Sequence, residues 1–271
     1  MTPLRIGAAL PAIRIARNRD WLLDGHRDLE IQDFTVPEIL DGDWVGVARF
    51  IREALDGYEG RLGIHGPYDG LAIASRDPLI RQVVAKRMDQ GLDAAAAIGA
   101  TQMVVHSPFT TWEHFNHGSK PAAREQVIEQ ALMTMRPAVK RAEDQGVTLV
   151  LENIEDVDPA VRVDLAARFE SQAVKVSLDT GHALFAHGST GGPPVDYYVR
   201  AAGNRLEHVH LQDADGHADR HWVIGEGIIK WEAVLRAIAE EAPKARMILE
   251  LNDYSGIPAS WEFLKATGLA T

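Results

Sequence analysis

The chain has no cysteine among its 271 residues. Disulfides are therefore excluded, and any metal must be held by nitrogen and oxygen ligands rather than thiolates. Long apolar runs are missing too, none approaching the length of a membrane-spanning helix. Charged residues split the apolar stretch of the opening MTPLRIGAALPAIRIARNRDW, which reads as a strand and not as a secretion signal. Basic residues are the minority: 28 lysines and arginines face 39 acids, a net charge of −11. The average field repels phosphate polyanions and counts against nucleic acid as a partner. No glycine-rich phosphate loop of recognisable spacing occurs, and no Pro/Gly/Ser linker or charge block divides the chain. What is there, 46% apolar and 25% charged residues, is ordinary globular composition that can bury a core without staples. One domain over residues 1–271 is expected, in the cytoplasm by default.

Short runs rich in Val, Ile and Leu recur, each followed by a longer helical pattern. The expected strands are 5–10, 28–34, 61–66, 101–107, 148–153, 174–180, 206–212 and 246–252. Asp77 followed by Pro78 reads as an N-cap and first helical residue, and Gly146 as a helix stop. Eight strand-then-helix units imply a parallel sheet, and eight is the number that closes a (β/α)8 barrel. The fold class is therefore α/β.

Polar residues collect at the carboxyl ends of these strands: His65, His106, Glu152, Asp179, His210 and Glu250. In a barrel that end is the active-site face, so these side chains should converge on one mouth. Blander readings exist for several. His65 and His106 could serve turn carbonyls, Asp179 could be a helix N-cap with His182 a bystander, and Asp219 and His221 alone read as solvent-facing. His208, one layer deeper than His210, reads as a hydrogen-bonded core histidine. Glu152 and Glu250 resist such readings, because each ends an apolar run where an unpaired carboxylate is costly to bury. Glu152, Asp179, His210 and Glu250 supply three carboxylates and one imidazole. That mostly hard donor set suits one divalent metal ion such as Mn²⁺, Mg²⁺ or Co²⁺ and tolerates Zn²⁺. The stretch HVHLQDADGHADRH, with His208, His210, His217, His221, Asp213, Asp215 and Asp219, would then end a strand in a ligand and roof the site with its loop. Aromatic residues make up only 7%, yet Tyr68, Trp112, Phe115 and Trp222 fall in strand-end loops, where they can stack on a ring or merely pack.

The stretches IHGPY, VVHSPF, LVLENIED, SLDTGHALF, HVHLQDADGHADRHWVIGEGIIKW and ILELN, in this order, resemble the xylose isomerase-like TIM-barrel superfamily over about residues 5–265. In its sugar isomerases and epimerases, those resembling D-tagatose 3-epimerase, the resemblance implies one metal held at Glu152, Asp179, His210 and Glu250. It implies proton exchange by Glu152 and Glu250, and substrate binding by His182 and by a second acid that falls on Asp158. The usual substrate-binding arginine falls on Gly216, a departure for which Arg220 is the nearest substitute. Its other branch, the abasic-site endonucleases resembling endonuclease IV, implies three zinc ions. Their ligands would be His65, His106, Glu152, Asp179, His182, His210, Asp219, His221 and Glu250, all present.

The net charge and the lack of Lys/Arg clusters beside the strand-end loops favour a small sugar or sugar derivative over a nucleic acid. The expected activity is proton transfer next to a carbonyl through a metal-stabilised enediolate, giving isomerisation or epimerisation, with a hydride shift as the other route. Here His65, His106, His182, His221, Asp158 and Arg220 would bind substrate. A barrel that only binds ligand would have been signalled by loss of both glutamates, and both are present. A homo-oligomer is compatible with this reading; a membrane partner is not expected.

Overall fold

The computed structural model describes residues 3–120 and 122–271. Its eight parallel strands are β1 (Ile6–Leu10), β2 (Leu29–Ile31), β3 (Leu62–His65), β4 (Gln102–His106), β5 (Thr148–Glu152), β6 (Val174–Asp179), β7 (Leu206–Leu211) and β8 (Arg246–Leu249). Each pairs with the next and β8 closes on β1, making a barrel. All eight expected strands are found, each shorter than read and β2 and β8 by the most. β2 stops at Ile31, where a 3-10 turn over Asp33–Thr35 takes the chain away. β8 stops at Leu249, so Glu250 lies just past the strand, although its N–H still donates to Leu211 O at 3.0 Å and continues the ladder by one residue.

The strands are buried on both faces, as parallel barrel strands must be. One alternate set, including Ile64, Met103, Val105, Leu149, Leu151, Val209 and Met247, is buried and belongs to the main apolar cluster. The other set faces the barrel axis and carries the polar residues. Register fixes which of them lie side by side: His106 pairs with Glu152, Asp179 with His210, and Ser177 with His208. Successive layers of the interior are thus set by the two-residue period of the strands.

Helix ends follow local chemistry. Asp77 caps helix Pro78–Ile98 by accepting from Leu79 N–H at 2.8 Å, with Pro78 at its first position. Helix Ala123–Gln145 ends at Gly146, whose φ of 69° places it in the left-handed region that glycine adopts without steric cost. At the amino end of the barrel, the Arg27 guanidinium lies 4.5 and 4.6 Å from the Trp21 and Trp261 rings and donates to Ile6 O and Thr271 O. Those contacts tie Thr271 to the first strand and close that end, leaving the carboxyl end as the open mouth. Among the described residues no helix is long and apolar enough to cross a membrane.

Candidate metal centre

A cavity of about 170 Å³ opens at the carboxyl end of the barrel. Its floor is made of strand-end residues, whose direction is dictated by the strands that carry them. Glu152, Asp179, His210 and Glu250 come together there, with one ligand atom from each lying within 4.8 Å of the others. His210 Nδ1 is 2.5 Å from Glu152 Oε1 and 3.3 Å from Glu250 Oε2. Two more donor groups adjoin this one. His65 and His106 direct their Nε2 atoms at Glu152 Oε2, at 3.7 and 3.4 Å. His182 and His221 direct theirs at the two oxygens of Asp219, at 3.3 and 3.0 Å.

The far nitrogens of three of these rings are committed to main-chain carbonyls. His65 Nδ1 donates to Gly66 O at 2.9 Å, His182 Nδ1 to Asn153 O at 2.8 Å, and His221 Nδ1 to Glu250 O at 3.0 Å. A carbonyl can only accept, so Nδ1 carries the hydrogen and Nε2 is the atom turned to the carboxylates. Metal-ligating histidines are held in this way, by an outer partner that fixes the ring and its tautomer. A carboxylate facing such a nitrogen requires something positive between them, either a second proton on the ring or a cation. Glu152 Oε2 is buried with no hydrogen-bond partner, the kind of orphaned acceptor that a cation would satisfy. The donor set therefore fits a divalent ion.

The rings and carboxylates also set one another's charge. Burial would raise Glu152, yet His210, His65 and His106 together hold it well below the ordinary carboxylate range. Burial also opposes the charged form of His182, but Asp179, Asp219 and Glu152 raise it well above the usual imidazole value. In His221 the same contest, led against burial by Asp219, ends at about 9. His106 goes the other way. Burial outweighs Glu152 and pushes it down to about 3, leaving a neutral nitrogen donor. Burial raises Asp179 despite His182, and its Oδ1 also accepts from His182 N–H at 2.7 Å as the cap of helix Thr180–Thr190. Asp179 thus caps this helix and also lies in the four-residue donor group.

Several residues at the site were not singled out from the sequence. Glu30, in the middle of β2, accepts from His210 Nε2 at 3.0 Å. Gln32 donates to Glu250 Oε1 at 2.6 Å. Gln212 donates to Asp179 and Asp219 and accepts from His221 N–H at 2.7 Å, joining two donor groups. It crosses so close to Gly181 that a β-carbon there would lie 2.3 Å from Gln212 Cδ, which explains the glycine of DTGH. The signal was available for Glu30, since LEI is an acid inside an apolar strand like LVLE. For the two glutamines, only their place just beyond a strand end marked them.

Two expected substrate-binding residues are not brought to the cavity. Asp158 accepts from Ala160 N–H at 3.0 Å, lies 3.7 Å from Arg124 and faces a separate crevice with His114 and His117. Arg220 forks onto Asp215 at 3.1 and 2.8 Å and lies over Trp222. Asp158 rests on a count from a motif and Arg220 on its nearness to Gly216, where the count for the arginine falls, and loop residues inherit a direction from neither. Conversely, Asp219 and His221 turn into the mouth instead of facing away from it. His221 does so with φ of 49°, a strained conformation for a residue with a β-carbon, held by its bonds to Gln212 and Glu250. Asp213, in the same stretch, is structural: it accepts from Gly225 N–H, Ile229 N–H and Trp231 Nε1 and pins the loop. His208 is the core histidine expected, fully buried with Nδ1 2.8 Å from Ser177 Oγ. Of the aromatics, Tyr68 stacks on His106 at 4.4 Å and walls the cavity, whereas Trp112 and Phe115 are exposed on helix Thr111–Asn116 and do not line it.

Residues 32–267 match the sequence profile of the family described as xylose isomerase-like TIM barrel. The chain belongs to this family. Within it, a probable endonuclease 4 of Mycobacterium leprae is 30% identical over 185 residues, 65% of this chain and 67% of that protein. Among solved structures, the TTHB071 protein of Thermus thermophilus, soaked with ZnCl₂, superposes with a TM-score of 0.76 at 27% identity, covering 97% of each chain. A D-tagatose 3-epimerase-like protein superposes with a TM-score of 0.78 over 97% of each chain, and at 20% identity it attests the fold.

Proposed function

We propose that the protein is a divalent-metal-dependent sugar isomerase or epimerase that moves a proton at the carbon next to a carbonyl. The observation that carries this reading is the convergence of Glu152 and Glu250 on one nitrogen of His210 at the floor of a small cavity. Glu152, Asp179, His210 and Glu250 would hold one ion, with Mn²⁺, Mg²⁺ and Co²⁺ preferred and Zn²⁺ tolerated by this donor set. An ion bound there supplies Lewis-acid polarisation of a carbonyl oxygen and its neighbouring hydroxyl.

The protein's own groups do the rest. Glu152 takes the proton on a carboxylate oxygen that the ion would leave free, and Glu250, entering the turnover protonated and leaving it ionised, gives one back, the bond from Gln32 holding its Oε1 in place; exchange of both protons with water resets the pair. His65, His106, His182 and His221 line the cavity and bind hydroxyl groups. The stacked Tyr68 and His106 rings give the sugar a flat apolar wall and shield the reacting carbon from water. With Arg220 tied to Asp215, these imidazoles take over anchoring. No lysine or arginine among the described residues lines the cavity, which suits an unphosphorylated sugar better than a sugar phosphate.

A second reading, a zinc-cluster endonuclease acting at abasic sites, is favoured by one observation. Three of the donor groups adjoin one another, sharing Glu152 and meeting where His182 faces Asp179 and His221 faces Glu250, nine residues in all, and a probable endonuclease 4 is among the relatives. Charge argues against it, because gripping duplex DNA takes several cations at the backbone. The chain carries −11, Arg220 is paired with Asp215, and Lys120 lies over the Trp112 ring, which does not line the cavity. The two readings separate on metal-loaded protein offered a panel of free ketoses and, in parallel, an abasic-site duplex. Interconversion of a ketose without strand cleavage supports the sugar reading; cleavage with three zinc ions per chain overturns it.

A further inference from the structure

Glu30 is a carboxylate inside the barrel, 2% exposed, and no step of the proposed reaction uses it. The flanking residues Leu29 and Ile31 belong to the apolar cluster, so the strand's period turns Glu30 to the axis. Its Oε1 lies 3.0 Å from His210 Nε2 in a hydrogen bond. Its Oε2 lies 3.0 Å from His208 Nε2, off the line of a good hydrogen bond, and His208 is held from its other side by Ser177 Oγ at 2.8 Å. Glu30, His208 and His210 thus form a second tier directly beneath the donor group of Glu152, Asp179 and Glu250.

The consequence is a question of which nitrogen is free. His210 faces carboxylates at both ends: Glu30 at Nε2, and Glu152 with Glu250 at Nδ1. To bind a cation at Nδ1, the ring must keep its one hydrogen at Nε2. With nothing to accept it there, the hydrogen would pass to Nδ1, where two carboxylates wait, and the ligand atom would be capped. An ionised carboxylate can only accept, so Glu30 gives the Nε2 hydrogen a fixed partner. We infer that Glu30 is a positioning residue, which holds His210 in the Nε2–H tautomer and ring orientation that leave Nδ1 open to a divalent ion. This rests on the reading that Glu152, Asp179, His210 and Glu250 hold such an ion. The arrangement is the carboxylate–histidine–metal relay in which an outer carboxylate sets ligand orientation and basicity.

The test is Glu30→Leu in the full chain, which keeps the approximate size and removes both the charge and the acceptor, beside Ser177→Ala, which touches only the His208 side. Binding of Mn²⁺ is measured by electron paramagnetic resonance of the free ion, and the ring nitrogens of ¹⁵N-histidine-labelled, metal-free protein are assigned by NMR. Glu30→Leu is expected to weaken Mn²⁺ binding by about 10- to 100-fold and to lose the hydrogen-bonded Nε2–H signal of His210, while Ser177→Ala retains both. If Glu30→Leu does not fold, Glu30→Asp, one methylene too short to reach His210, takes the same measurements. Unchanged Mn²⁺ affinity together with an unchanged His210 signal overturns the inference. A wild-type protein that binds no Mn²⁺ counts instead against the proposed ion, and the NMR comparison still decides whether Glu30 fixes the ring.

Discussion

Glu152, at the end of β5, and Glu250, just past β8, both reach Nδ1 of His210, at 2.5 and 3.3 Å. Two carboxylates this close to one imidazole nitrogen leave a concentrated negative charge that the ring alone does not balance, and Asp179 adds a third acid within the same 4.8 Å. A cation bound there binds the folded state alone, because only the barrel assembles the four residues.

Metal removal should therefore destabilise the protein. At a hundredfold excess of Mn²⁺ over its dissociation constant, linkage gives about 2.7 kcal/mol of added stability. Denaturant unfolding with Mn²⁺ and with a chelator checks this, and Glu250→Gln should shrink the difference. Identical curves with and without metal would count against the site.

Asp213 should matter more for folding than its surface-loop sequence suggests. It is fully buried, accepting from Gly225, Ile229 and Trp231 Nε1. Asp213→Asn turns an NH₂ group toward some of these donors, and about 3 kcal/mol of stability should be lost. Hydrogen exchange should quicken at the amides of 214–229, the loop that carries Asp219 and His221. Unaltered exchange there would show that the loop is held by other contacts.

What was legible in the sequence follows from where direction is fixed. Strand-end residues such as Glu152, Asp179 and His210 could be aimed correctly, because the period of the strand and its register determine which way each points. Glu30 obeys the same rule between Leu29 and Ile31, but it sits mid-strand, away from the carboxyl ends where site residues are expected. Residues in loops were not legible. Asp158, expected from spacing, and Arg220, expected as the substitute for Gly216, face elsewhere, whereas Asp219 and His221 enter the mouth, His221 with a positive φ. Gln32 and Gln212 carry no charge to betray them, and their part emerges only from the bonds they make.

Asp156 offers a pH test away from the metal group. Burial outweighs Arg162 and raises its carboxyl from 3.8 to about 6, and Arg162 spends its Nη1 on the carbonyls of Leu151 and Ser177. Between those values the folded state binds more protons than the unfolded, so stability from this group falls as pH rises from about 4 to 6. Relative to Asp156→Asn, the wild type should lose about 2 kcal/mol between pH 4.5 and 7. Urea midpoints of the two proteins at both pH values check this; a wild type that gains on the variant over that range would show Asp156 to be ionised by its neighbours.

The central claim is proton transfer at a sugar carbon next to a carbonyl, and deuterium reports it directly. Mn²⁺-loaded protein is incubated in D₂O with each of a set of free ketoses, and the sugars are read by NMR. The account predicts that at least one ketose takes up a single deuterium at the carbon beside its carbonyl, and that Glu152→Gln and Glu250→Gln abolish the uptake. Turnover of a ketose that leaves this carbon free of deuterium in the wild-type reaction would contradict the account.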